Sequence, residues 1–238
     1  MLGLFSRPVS LAGSALLHGA VDHHSHILPG LDDGVRTMDD SLAVLAWLRE
    51  QGFSEVWFTP HVMEDVPNTT EGLRQAFDAF CQVYDGPLRL HLAAEYMMDN
   101  LFCKRLENKD FLLLGEDRVL VETSTMAPPL DFWDLISSLM SAGFRPVLAH
   151  PERYHYMRPE DYERLHAMGV LFQLNLPSLT GYYGGEAVRR ATDLLKRGWY
   201  SMSGSDCHRL KTLQRQYGQR SVSKKTMRAL EPLMHPAL

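Results

Sequence analysis

The stretch "VDHHSHILPGLDDGV", residues 21–35, places His23, His24 and His26 within four positions and, after Pro29-Gly30, sets Asp32 beside Asp33. Imidazole and carboxylate together hold divalent ions without help from thiolate. In an extended chain a spacing of two puts His24 and His26 on one face with Asp22 on the same side, while His23 and Ser25 point away. Two imidazoles on one face are half a metal site, so the remaining donors must come from elsewhere. The strings "FTPH", "LAAEY", "LVET", "LAHPER" and "SGSDCH" each follow or end a strand-like run and carry His61, Glu95, Glu122, His150, Asp206 and His208. A single histidine of this kind reads as a satisfied polar group near the surface. Repetition of the pattern at one strand end after another reads as a shared site.

The candidate metal ligands are His24, His26, His61, Glu95, His150, Asp206 and His208, with Asp33, in preference to Asp32, from the loop after the first strand. Eight donors exceed what one tetrahedral zinc ion takes. A mixed histidine and carboxylate set suits Mn, Fe or Zn, and a carboxylate such as Glu95 can bridge two of them, so two or three ions are expected. Glu122 is left outside this set, as a carboxylate supporting a ligand histidine or as a plain strand end. Cys207 faces the other side of an extended "DCH" and is expected to pack, Asp22 to support the ligands from behind, and His91 to be buried deep in the sheet.

The elements that must position these residues show in the punctuation of the chain. "QGF" at 51–53, "AGF" at 142–144, "MGV" at 168–170 and "RGW" at 197–199 each set a glycine between a helical apolar pattern and a strand-like run. In "TMDDSLAVLAWLREQG", Thr37 is the expected N-cap, with Asp40 closing a capping box. Strands are expected at 19–24, 55–58, 88–94, 119–122, 146–149, 170–174 and 199–203. Strands alternating with helices imply a parallel α/β sheet, closed or doubly wound, with its site at the C-terminal strand edge.

Composition narrows the function. The chain has 238 residues, 45% of them hydrophobic, enough to bury one core, and no linker or repeat divides it. A net charge of −5 with no basic run argues against a nucleic-acid partner. Three cysteines without a CxxC pair fit a reducing compartment, and a cytoplasmic location is expected. The start, "MLGLFSRPVSLAGSALLHGA", lacks a basic n-region and is broken by Arg7-Pro8 and Gly13, so an N-terminal extension over 1–18 is expected in place of a cleaved signal. No apolar run approaches the roughly 20 residues of a membrane span, which excludes direct insertion.

Taken in order, "DHHSHILPGLDDG", "TPH", "AEY", "AHPERY", "LTG" and "GSDCH", spread from residue 22 to 208, resemble the motifs of the PHP (polymerase and histidinol phosphatase) superfamily. "HILPGLDDG" and "HPERY" resemble most closely its bacterial manganese-dependent tyrosine phosphatases of capsular and extracellular polysaccharide synthesis. The resemblance implies a single PHP domain over 19–238, folded as a distorted (βα)7 barrel with a trinuclear site. It implies that His24, His26, Glu95 and Asp206 hold one ion, Glu95 and His150 a second, and Asp33, His61 and His208 a third, with Mn2+ as the metal. Arg153 of "HPER" matches the family arginine that faces the substrate phosphate. A further family arginine has no fixed match in "HRLKTLQR", where Arg209, Lys211 and Arg215 are available and Arg209 is the expected second catalytic residue.

By that resemblance the substrate is a phosphotyrosine protein, the tail of a membrane-bound bacterial tyrosine kinase, attacked in line by a metal-bridging hydroxide. A phenol leaving group with a pKa near ~10 lessens the need for a strong general acid. The cysteine-based mechanism is excluded, because Pro87, Lys109 and Leu213 stand where Cys-x5-Arg requires arginine. Two rivals are a phosphoesterase acting on a small molecule such as histidinol phosphate and a non-catalytic metal-binding module. "SLTGYYGG" at 178–185 offers Tyr182 and Tyr183 either as a cleft rim or as plain surface tyrosines.

Overall fold

Short apolar runs separated by amphipathic segments become parallel strands separated by helices. The structure, a computed structural model, describes residues 8–219 and 221–235. In chain order the elements are β1 (Val21–Asp22), α1 (Met38–Gln51), β2 (Glu55–Phe58), β3 (His61–Val62), α2 (Thr70–Val83), β4 (Arg89–Leu92), β5 (Glu95–Met97), α3 (Asn100–Asn108) and β6 (Arg118–Glu122). There follow α4 (Phe132–Ser141), β7 (Arg145–Ala149), α5 (Pro159–Met168), β8 (Leu171–Asn175), α6 (Gly184–Arg197), β9 (Tyr200–Gly204), α7 (Leu210–Gly218) and α8 (Lys224–Met234).

The strands pair in parallel as β1-β2-β4 and as β3-β5-β6-β7-β8-β9. β2 and β3 are two halves of one pass interrupted at Thr59-Pro60, and β4 and β5 two halves of another interrupted at Ala93-Ala94, so the nine segments make seven passes. Hydrogen bonds from Ala93 N to Phe58 O and from Glu95 N to Pro60 O carry the pairing across both interruptions. The first and last passes also meet: His23 N donates to Ser203 O, Asp206 N to His24 O and His26 N to Cys207 O, and Ser25 bridges Cys207 in parallel. The result is a distorted (βα)7 barrel.

Val21, Trp57, Ala93, Leu120, Val147, Ala149 and Met202 fill the barrel interior, and a larger apolar cluster lies between the strands and their helices. All four helix-to-strand glycines take positive φ, from 70° at Gly198 to 104° at Gly52. Thr37 caps α1, but its hydroxyl donates to the Asp40 carboxylate where a capping box would have Asp40 accept from the Thr37 amide. The strand expected over 88–94 is broken, and the one expected over 19–24 pairs with β2 only at Val21–Asp22, because the chain then turns its bonds to the last pass. In the described part of the N-terminal extension, Val9 pairs with Val222 and Leu11 and Leu17 are buried in the main core; its residues 1–7 lie outside the described residues. No helix among the described residues is long and apolar enough to cross a membrane.

Candidate metal centre

Each predicted ligand stands at the C-terminal edge of the barrel. His24 and His26 follow β1, Asp33 lies in the next loop, and His61 and Glu95 open β3 and β5, where the register sets them directly opposite one another. Glu122 closes β6 beside Met97, His150 follows β7, and Asp206 and His208 follow β9. His150 and Asp206 are held in the left-handed backbone region, at φ 34° and 50°, which is uncommon for residues with a Cβ and costs on the order of 1–3 kcal/mol each. Surrounding structure holds them there: Asp206 N donates to His24 O, and His150 N to Gln173 Oε1. Two glycines let backbone segments approach the ligands. A Cβ on Gly204 would sit 2.5 Å from His24 Cβ, and one on Gly34 would sit 2.0 Å from His26 O.

The donors converge. His24 Nε2 lies 3.0 Å from His26 Nε2, and Glu95 Oε2 is 3.1 Å from the first, 3.3 Å from the second and 3.1 Å from His61 Nδ1. Glu95 Oε1 lies 3.0 Å from His150 Nε2, and Asp206 Oδ1 is 3.4 Å from both His26 Nε2 and His208 Nδ1. Asp33 Oδ1 reaches His208 Nε2 at 3.3 Å and His61 Nε2 at 3.6 Å. Donor atoms fall within 4.8 Å of one another in four groups: His26, Asp33, His61 and His208; His24, Glu95 and His150; His24, His26 and Asp206; and His61, Glu95 and Glu122.

The last group adds Glu122, which the sequence reading left outside the ligand set, to the candidate donors. Its Oε1 is 3.2 Å from His61 Nδ1 and its Oε2 3.7 Å from His150 Nε2, as close as other members of the cluster. The signal was present in "LVET", a carboxylate at a strand end like the rest.

The arrangement fits divalent cations. His24 Nδ1 faces Gln173 Oε1 and His26 Nδ1 faces Asp32 Oδ2, each at 2.9 Å, so both Nδ1 atoms carry hydrogen toward these acceptors and both Nε2 atoms turn to the common centre. Two ring-nitrogen lone pairs 3.0 Å apart repel unless a proton or a cation lies between them. Burial opposes charge on His24, but the Glu95 and Asp206 carboxylates outweigh it and push the imidazole up to about 9. Glu95 and Asp206 are buried too, yet the surrounding imidazoles hold both well below the ordinary carboxylate range. Buried Glu95 Oε2, Glu122 Oε1 and His61 Nδ1 have no hydrogen-bond partner, although both carboxylate oxygens lie within 3.2 Å of the His61 nitrogen.

Around the donors, Asp206 presents its second oxygen outward. Oδ2 accepts from Arg153 Nη1 at 2.8 Å, Asn175 Nδ2 at 2.8 Å and Tyr183 OH at 3.4 Å, while the Arg153 guanidinium lies 4.5 Å from the centre of the Tyr183 ring. Tyr182 packs edge-on against Tyr183 and is 41% exposed, so of the two only Tyr183 contacts the Arg153 side of the site. Sequence reasoning missed Glu152. It is fully buried and accepts from Asn175 N, Ser178 Oγ and Tyr200 OH, tying the turn that carries His150 and Arg153 to β8 and β9. Asp32, passed over in favour of Asp33, is the residue that orients His26 and also accepts from His61 N.

The remaining residues fall as follows. Asp22 accepts from Ser205 N and His24 N and so braces backbone, not imidazole; burial pushes its carboxyl up to about 6. His23 bonds Ser203 O, Ser25 donates to Trp57 O, and Cys207 is buried with an apolar cluster. His91 is not deeply buried: it stacks on Trp57 and bonds Glu55 at the opposite end of the barrel, with a third of its side chain exposed. Arg209 is exposed and flanks His208 without touching the donor cluster. A cleft of about 270 Å³ lined by Tyr162, Arg189 and Trp199 lies apart from all candidate ligands.

A seven-pass parallel barrel carrying a histidine and carboxylate cluster at its C-terminal edge defines the PHP class of metal-dependent phosphatases. Within it, the chain belongs to the CpsB/CapC family of capsular polysaccharide synthesis, whose family model matches residues 20–229. It is 28% identical over 199 residues to the tyrosine-protein phosphatase YwqE of Bacillus subtilis, covering 81% of this chain and 78% of that protein. It is 29% identical over 206 residues to the tyrosine-protein phosphatase CpsB of Streptococcus pneumoniae, covering 80% and 83%. A chain from the crystal structures of YwqE and CpsB, described as unique metal-dependent tyrosine phosphatases, superposes with a TM-score of 0.76 at 27% identity over 89% of this chain and 86% of its own. The lactonase Lmo2620 of Listeria monocytogenes shares the fold alone, at 12% identity and a TM-score of 0.50 over 95% of this chain and 88% of its own.

Proposed function

We propose that this protein is a metal-dependent protein-tyrosine phosphatase that hydrolyses phosphotyrosine to tyrosine and inorganic phosphate. The observation that carries the reading is the convergence of His24 and His26 Nε2 with Glu95 Oε2 and Asp206 Oδ1, beside an arginine bound to that same aspartate. His24, His26, Asp33, His61, Glu95, Glu122, His150, Asp206 and His208 would hold two or three divalent ions, with Mn2+ the ion we favour for a mixed imidazole and carboxylate set. Bound ions would supply Lewis acidity for the phosphoryl oxygens and a water acidic enough to attack at neutral pH.

The chain's own groups do the rest. Asp32 and Gln173 fix the tautomers of His26 and His24. Arg153, preset by Asp206 and Tyr183, offers a planar guanidinium to two phosphoryl oxygens at once. Glu152 holds its turn in place. The leaving phenolate, with a pKa of ~10, takes its proton from solvent.

We assign the activity to the domain over 19–238, with 1–18 as an extension. The substrate we favour is the tyrosine-bearing tail of a membrane-bound kinase that governs polysaccharide synthesis. A cytoplasmic location accords with three free cysteines, Cys81, Cys103 and Cys207.

The test is to strip the protein with chelator, restore Mn, Fe, Co or Zn singly, and compare a phosphotyrosine peptide, a phosphoserine peptide and histidinol phosphate. Preference for the phosphotyrosine peptide is expected. Preference for histidinol phosphate by orders of magnitude would replace this reading with the small-molecule one, and no turnover with any metal would leave a binding module.

A further inference from the structure

On the His208 side of the cluster, the loop after β1 and the start of α7 enclose a cleft of about 310 Å³. Arg36, Arg209 and Lys211 line it, and all three are exposed. Among the described residues none of the three side chains enters an ion pair. The one anion in the lining, Asp40, already accepts from Thr37 Oγ1 at 2.8 Å in the first turn of α1. Three cations against the single Asp40 carboxylate make the lining net positive in a chain whose net charge is −5.

The cleft also opens on the chemistry, since His208 belongs both to its wall and to the donor group with His26, Asp33 and His61. Whatever occupies it is therefore contiguous with the group at the metal centre. Its other walls are aliphatic, Val44 and Leu210 among them, with no Trp, Tyr or Phe on which a base would stack. Three cations distributed over two elements suit several separate carboxylates along a chain better than one compact anion.

We propose that this cleft binds acidic side chains flanking the phosphotyrosine of a polypeptide substrate, so that the protein selects phosphotyrosine segments with Asp or Glu beside them. The inference rests on the phosphatase reading for its substrate, but binding can be measured without turnover. Rim charges of this kind act mainly on association and are screened by salt.

The experiment uses the metal-loaded full chain and two fluorescent peptides without phosphotyrosine, one rich in Asp and Glu and one rich in Lys, read by anisotropy at low and high salt. The acidic peptide should bind and the basic one should not, and Arg36→Gln/Lys211→Gln should weaken acidic binding about tenfold. Unchanged metal content and melting temperature show that the variant is folded; Lys211→Glu, a single reversal, serves if the double variant is not. In turnover, kcat/KM should favour the acidic-flanked phosphotyrosine peptide over the Lys-flanked one by about tenfold, with the difference in KM and lost in the variants. Equal binding of the two peptides, or acidic binding untouched by both variants, overturns the proposal. So does competition by dextran sulfate without competition by the unphosphorylated acidic peptide, which would give the cleft to polysaccharide. Salt-sensitive acidic binding in a protein that turns over no phosphotyrosine would instead sink the phosphatase reading and leave the cleft standing.

Discussion

Asp206 is approached from two sides: His24, His26 and His208 face Oδ1, while Arg153 and Asn175 hold Oδ2. The two sides should separate on mutation. His24→Ala removes a donor from two of the four groups, and both bound metal, by elemental analysis, and turnover should fall to near zero. Arg153→Ala should keep the metal, because Asn175 still restrains Oδ2, yet lower kcat/KM by roughly 100-fold or more through loss of transition-state charge stabilisation. Normal turnover in that variant would remove the role assigned to Arg153. Glu122→Gln tests the residue the sequence reading omitted; it should lower metal stoichiometry and cut turnover by about 10–100-fold. Full stoichiometry and full activity would make Glu122 a bystander.

At the scale of elements, the site depends on how closely segments approach. Ala at position 204 places a methyl 2.5 Å from His24 Cβ and 2.8 Å from its N, so β1 and β9 must part at the level of two ligands. Gly204→Ala should cost about 1–3 kcal/mol in denaturant unfolding and reduce metal occupancy, whereas Gly143→Ala, where a Cβ meets nothing, should leave metal occupancy intact and pay only for its φ of 98°. Helix ends were legible in the sequence because a glycine after an apolar stripe has a local cause. Strand continuity was less so. The strand expected over 55–58 matches β2, but its resumption as β3 after Thr59-Pro60, and the break at Ala93-Ala94 between β4 and β5, are set by pairing with neighbouring strands. The tautomer-fixing contact of Gln173 with His24, 149 positions away, and the buried bonds of Glu152 carry no local signal, whereas Asp32 lies only six residues from His26.

For the molecule as a whole, parity and strand-end position were enough to gather donors from all over the chain, because every strand in a parallel barrel delivers its last residue to the same edge. The cleft at Arg36 and Lys211 was not legible, since it forms between a loop and a helix that lie far apart in the chain. Binding of ions to a site this distributed couples to global stability. Chelation should lower the melting temperature by several degrees, equivalent to about 3 kcal/mol at ion concentrations near 100 times Kd, and readdition should restore it. A melting temperature indifferent to chelator would mean that the donors are not a metal site in the folded protein. The seam where His26 N meets Cys207 O closes the barrel and brings the earliest ligands to the latest. His24 and His26 therefore hold only half a site until residues 206–208 have folded against them, so a metal bound across this seam would report that the ring has shut.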